Sequence, residues 1–276
     1  MRPSAARRTR RDVTIAMTRT GEGEYAGETD PAYWNLIGPF GGWIAAVLML
    51  AVLDDPRRHG EPLSLSTNFA GAIEAGPYAI RTRNARRNRS TDFWRAELVQ
   101  HQHGRDVLCA EASLVLAHRR PTDSFVDVSP PEAPAPETLP AVPANAGAPS
   151  FLEKYDMRFA TGNPFAGGDP DRTVAWVRDR APRTLDFPAL AALCDTGFPP
   201  IFLRLGKRVP VSTVTLNAFF HVNSSELAEI GNDFLLSEGR MRVAHNGFFD
   251  CTTTMWSRSG RLLATTEQVV YYKTTS

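Results

Sequence analysis

Cysteine is scarce in this chain of 276 residues: Cys109, Cys194 and Cys251 are the whole set. Three scattered thiols match neither a zinc-ligand spacing nor a secreted disulfide framework, and they point to a reducing, cytoplasmic location. Long apolar runs are missing too. The longest, WIAAVLMLAVL at 43–53, falls short of the roughly 20 residues that span a bilayer, so no membrane span is expected. No apolar stretch follows the basic opening, so no secretory signal is expected either. A large excess of one charge sign is absent as well. A net charge of +1 argues against general nucleic-acid binding, with the local exceptions RPSAARRTRR at the start and RTRNARRNRS at 81–90. What remains is ordinary globular composition, 42% hydrophobic, enough for one large domain or two of about 130 residues.

The chain divides in the middle. Residues 119–150 are dense in Pro and Ala, carry no hydrophobic period and read as an extended linker. Residues 1–11 read as a disordered basic leader, which leaves 12–118 and 151–276 as two units of similar size. The first holds a strand pair or strand and turn, then GPFGGWIAAVLMLAVLDD, then LSLSTNFAGAI, YAIRTRNARR, DFWRAELVQHQ and DVLCAEASLVLA. The second repeats that order. RTVAWVRDR is a strand, LDFPALAALCDTGFPPIFLRLG is helical with a break at Pro199 and Pro200, and four strand-like runs follow. A helix apolar on all sides cannot be exposed, so a sheet must wrap it. This predicts an α+β double hotdog: two antiparallel sheets, each around a long apolar helix, related by an internal pseudo-two-fold axis. Residues near 43–54 should match those near 187–203.

One polar residue looks out of place. In RLLATTEQVVYYK the face that holds Leu262, Ala264, Thr266, Val270 and Tyr272 at period two also holds Gln268. A buried amide without partners costs about 1–3 kcal/mol, so Gln268 must have them. Asp195, among mostly apolar helical neighbours, would be partly desolvated and so tuned toward a useful base; equally, it could cap amides where the helix breaks. Thr213 shares its nominal strand face with Thr215, Asn217 and His221, which reads as solvent-facing. Gly41 and Gly42 open the first helix, where free amides can receive an anion or allow close packing. Arg81, Arg83, Arg86, Arg87 and Arg89 suit phosphate, or a solvated strand edge. His101 and His103 share a face but lack a third ligand of clear spacing. Cys194 has no evident His partner and reads as core.

These segments resemble the acyl-CoA thioesterase II family of double-hotdog enzymes. The likeness lies in GPFGGWIAAVLMLAV, SLSTNF, RNRSTDFWRAELVQ and VLCAEASLVLA in the first half, and in LCDTGFPP, VSTVTLNAFFH and LLATTEQVV in the second. It covers most of the chain outside leader and linker. The resemblance implies hydrolysis of an acyl-CoA thioester to free acid and coenzyme A, by a water that an Asp, a Thr and a Gln position. Carried over, these are Asp195, Thr213 and Gln268. It also implies an acyl-CoA substrate and no metal or organic cofactor. The residues themselves offer Gly41, Gly42, Arg87 and Arg89 as substrate contacts, and leave a homodimer or larger homo-oligomer open. The chain departs from the family after Thr213. Many relatives place an acidic residue and a His two and three positions on, where this chain has Thr215 and Leu216, so the substrate range is open. So are two other readings: a hotdog hydratase, disfavoured because neither helical body holds a His, and a non-catalytic acyl-binding or acyl-transfer protein.

Overall fold

The computed structural model describes residues 15–143, 148–163 and 172–274; the basic leader lies outside them. The first half contains β1 (Met17–Gly21), β2 (Glu24–Glu28), α1 (Gly41–Asp54), β3 (Glu61–Phe69), β4 (Pro77–Arg87), β5 (Thr91–Gln102) and β6 (Arg105–Ala117). The second contains β7 (Tyr155–Thr161), β8 (Arg172–Asp179), α2 (Phe187–Leu193), α3 (Pro200–Leu205), β9 (Val211–Phe220), α4 (Ser224–Ile230), β10 (Leu235–Arg240), β11 (Ala244–His245), β12 (Phe248–Ser257) and β13 (Leu262–Tyr272).

Helix α1 is apolar around its whole circumference and buried from Gly42 through Met49, again at Ala51 and Val52. Such a helix is stable only when enclosed. It packs against α2 on one side and β4, β5 and β6 on the other. The two expected sheets turn out to be one. Thirteen strands run β1-β2-β4-β5-β6-β3-β9-β13-β12-β10-β8-β7, with β11 beside β12, and every pairing is antiparallel. The seam is β3 against β9, with Ser64 opposite Phe219 and Asn68 opposite Thr215. Each half ends there on a strand with unpaired amides and carbonyls, and pairing the two edges satisfies both. Outward from the seam the strand order is the same on either side. This is the double-hotdog architecture.

The second helix is not long. Cys194 ends α2, and the Thr196 hydroxyl donates to the Leu193 carbonyl at 2.7 Å. Gly197, Pro199 and Pro200 then prevent the helix from continuing. Helix α4 was not expected, although NSSE signals it. The Asn223 side chain accepts from the Glu226 amide, and the Glu226 carboxylate accepts from the Asn223 amide, which is a capping box. Residues 133–139 cross the outer face of the second half. Ala133 and Leu139 pack on Val174, Trp176, Leu236 and Trp256, and the Trp176 indole donates to the Pro134 carbonyl at 2.8 Å.

A charged knot holds the C-terminal end of α1. Asp92, 1% exposed, accepts from the Trp94 indole (2.8 Å), the Asn84 amide (2.6 Å), the His59 backbone (2.9 Å) and Arg87 (3.3 Å). Burial alone would raise its carboxyl. The hydrogen bonds from Trp94, Asn84 and Arg87 outweigh that and hold it below the usual carboxylate range. A depressed pKa stabilises the fold above the unfolded value, and that contribution is lost as pH falls through the folded one. Asp92→Ala leaves the buried Trp94 indole N–H and the Asn84 and His59 donors without their acceptor, at about 1–3 kcal/mol for a buried group. It is therefore expected to lower the melting temperature by about 5–10 °C, with less effect at acid pH. A loss that did not shrink on acidification would contradict the charge-based account.

Candidate active site

Gln268 lies on β13 and its side chain is buried, as its neighbours on that face are. Its amide nitrogen donates to Asp195 Oδ1 at 3.0 Å, and its amide oxygen accepts from Thr213 Oγ1 at 3.4 Å. Those partners fix the amide's orientation, because only the nitrogen can face a carboxylate. They also answer why an amide sits on an apolar face.

Thr213 reaches this face through a β-bulge. On β9, Thr215 pairs with Val269, but Thr213 pairs with the very next residue of β13, Val270. Val214 is the extra residue, and it points outward, 38% exposed. The bulge shifts the alternation by one, so Thr213 faces inward with Leu216 and Ala218 while Thr215 and Asn217 face out. A bulge re-aims a side chain in this way. The outward reading of Thr213 is thus overturned by one unpaired residue.

Asp195 sits in the turn after α2, partly buried, where the two halves meet. The first-half helix begins against it. A Cβ on Gly41 would lie 2.7 Å from Asp195 Oδ2, and one on Gly42 would lie 2.5 Å from the Ala192 carbonyl oxygen. Only glycine permits this approach. The Gly42 amide faces the Asp195 carboxylate and works against the rise in its pKa, and Phe40, at the N-cap of α1, supplies no side-chain cap. Asp195 therefore sits at the start of the helix of the other half. Burial pushes its carboxyl up to about 7, against the lowering effect of the bonds from Gln268 and Gly42. A carboxyl with that pKa can accept a proton from water near neutral pH and return it.

The remaining candidates fall elsewhere. Arg87 bonds to Asp92 and the Arg57 carbonyl in the knot beyond the C-terminal end of α1. A helix of 14 residues separates it from Gly41 by about 20 Å. Arg89 is exposed in the β4–β5 turn. The structure thus does not bring either arginine to the Asp195 cluster. His101 and His103 lie exposed at the β5–β6 turn, with His101 beside Asp106 at 3.1 Å. Among the described residues no cluster of His, Cys, Asp or Glu could hold a metal ion, and no helix is long and apolar enough to cross a membrane. Cys194 is buried, its thiol pushed well up by burial and by Asp195. Phe69 escaped notice in the sequence. Its ring edge stands 3.2 Å from where a Gly41 Cβ would be, and nothing in SLSTNF marks it apart from other apolar strand residues.

Comparison with known proteins agrees with this architecture. A hotdog-fold protein of unknown function from Alicyclobacillus acidocaldarius is 34% identical over 95% of this chain and 97% of its own, with a TM-score of 0.90. A putative thioesterase II from Thermobifida fusca is 24% identical over 97% of this chain and 98% of its own, TM-score 0.80. An acyl-CoA thioesterase II from Mycobacterium marinum is 20% identical over 94% and 96%, TM-score 0.75. No curated protein matches. Residues 30–117 match the acyl-CoA thioesterase N-terminal domain and residues 129–272 the C-terminal domain. With both domains present in their order along one chain, this protein belongs to the acyl-CoA thioesterase family.

Proposed function

We propose that the protein hydrolyses an acyl-CoA thioester with Asp195 as general base, and that the cluster where the two halves meet is its active site. The observation that carries this is the chain Thr213–Gln268–Asp195, which holds a carboxylate of raised pKa at the mouth of a helix. A base held by an orienting group, itself held by another, is the arrangement that general-base catalysis uses.

In this reading Asp195 takes a proton from a water, and the water oxygen attacks the thioester carbonyl carbon. The carbonyl oxygen becomes an oxyanion. Amides at the start of α1, that of Gly41 first, lie where a helix end favours negative charge. As the tetrahedral species collapses, the C–S bond breaks and Asp195 returns its proton to the departing coenzyme A sulfur. Gln268 orients the carboxylate, and Thr213 orients Gln268. Neither needs to change its charge. The fit of three buried free thiols to a reducing environment supports a cytoplasmic location.

The base must be ionised to work, so activity should rise with pH and reach half its plateau near 7 in kcat/KM. The stability sign runs the other way. A carboxyl whose folded pKa is raised stabilises the fold at low pH and loses that contribution as pH climbs through about 7. Release of free thiol from a panel of acyl-CoAs across pH 5–9 reads the first expectation. A profile flat through neutrality would rule out Asp195 as the base.

A further inference from the structure

The inner face of the sheet beneath this cluster holds three hydroxyls where a hotdog core calls for hydrocarbon. Thr67, Thr253 and Thr266 are 0%, 2% and 2% exposed. Among the described residues none of their Oγ1 atoms has an oxygen or nitrogen partner; the Thr253 hydroxyl has the Cys251 thiol beside it. Thr253 and Thr266 stand opposite each other on β12 and β13, Thr266 two residues from Gln268 on the same face, and Thr67 lies on that inner face two strands away, across Leu216 from Gln268. Two residues of strand span about 7 Å, so Thr266 lies a few bond lengths deeper than the carboxylate's partner. The pair also runs under the turn that carries Asp195. The Thr253 hydroxyl is 3.6 Å from where a Cβ on Gly197 would be. Beside it stand small side chains, Ala218 opposite Thr266 and Gly239 opposite Thr253.

Threonine here is costly. A buried hydroxyl without a partner loses about 1–3 kcal/mol. Valine has nearly the same shape and forms strands as readily, yet it is absent from all three positions. Three such hydroxyls together, next to a reacting carboxylate and under a turn with glycine at its centre, call for a polar group brought by the ligand.

We infer that Thr67, Thr253 and Thr266 line the acyl subsite and select acyl chains with a hydroxyl or keto oxygen a few carbons from the thioester. The inference rests on the reading of the Asp195 cluster as a thioesterase site and adds the class of its substrate. A hydroxyl on the acyl chain can both accept from and donate to threonine. A site built to bond such an oxygen discriminates strongly against the analogue without it, because its own polar groups are then left unpaired.

The probes are hexanoyl-CoA, 3-hydroxyhexanoyl-CoA and 5-hydroxyhexanoyl-CoA. At least one hydroxylated ester is expected to exceed hexanoyl-CoA at least tenfold in kcat/KM. Thr266→Val should remove that preference by lowering the hydroxylated rate at least tenfold relative to the hexanoyl rate, with the melting temperature unchanged or raised. Thr266→Ser, which keeps the hydroxyl, should retain the preference. Equal rates on all three esters with the wild-type protein would overturn the inference, as would a Thr266→Val variant that slows all three alike. Binding is read separately by calorimetry on Asp195→Asn, where hydrolysis is slowed about 10²-fold. Tighter binding of a hydroxylated ester, with no hydrolysis by wild type, would keep the subsite and discard the thioesterase reading. Equal binding of all three would discard the subsite.

Discussion

Asp195→Asn is expected to lower kcat by about 10²-fold or more while the protein stays folded. The change is nearly isosteric. Asparagine can still accept from Gln268 through its one amide oxygen, and Asn and Asp rank together as helix caps. What it cannot do is take a proton. If Asp195 served only to cap α1, the variant would keep full activity. Stability adds a second, independent sign. Above pH 7 the wild-type carboxylate carries a charge that burial disfavours, so the variant should melt at the same or a higher temperature there. Coupling the change to Gln268→Ala should add little, because residues that act as one unit are not additive. Thiol release and thermal unfolding at pH 8 on both single variants and the double decide the matter. A fully active Asp195→Asn would end the catalytic assignment and leave Gln268 a hydrogen-bonded core amide.

Gly41→Ala should be nearly as damaging, for a geometric reason. The added methyl would lie 2.7 Å from Asp195 Oδ2 and 3.2 Å from the Phe69 ring. No carbon and oxygen rest at the first of these distances, so the carboxylate must shift. Misplacing a reacting group by about 1 Å costs on the order of 10²-fold. Alanine is a better helix former than glycine, by about 1 kcal/mol, and Gly41 does not have a positive φ, so the fold should tolerate it. Gly42→Ala is a different test. Its methyl would meet the Ala192 backbone oxygen at 2.5 Å and the Phe40 ring at 2.6 Å, where neither neighbour is a flexible tip, so it should cost stability instead. Comparing kcat with melting temperature for the two variants separates the effects. A Gly41→Ala protein with wild-type turnover would show that the carboxylate does not work from its observed place.

The helix and most strands are legible in the sequence, because they follow from local pattern. WIAAVLMLAVL has no polar face, so burial is the one stable outcome for it. The alternation in RLLATTEQVVYYK placed Gln268 inward, and Gln268 is inward. The short α4 is encoded locally as well, in the cap residues of NSSE. The length of α2 was overestimated, although Gly197 and the two prolines that end it are plain in LCDTGFPP.

Other features lie beyond any local pattern. The bulge at Val214 that turns Thr213 inward depends on register against β13, and VSTVTLN carries no glycine or proline to announce it. The merging of two sheets into one depends on two edges with unpaired hydrogen-bonding groups meeting across the seam. The approach of Gly41 to Asp195 joins residues 154 positions apart by subtraction of their numbers, and it exists because α1 and α2 pack together. The sequence by itself determined which segments are buried and which side chains could do chemistry, because both follow from side-chain type and short-range period. That Asp195 of one half stands against the start of α1 of the other comes from packing across the seam, which no local pattern carries.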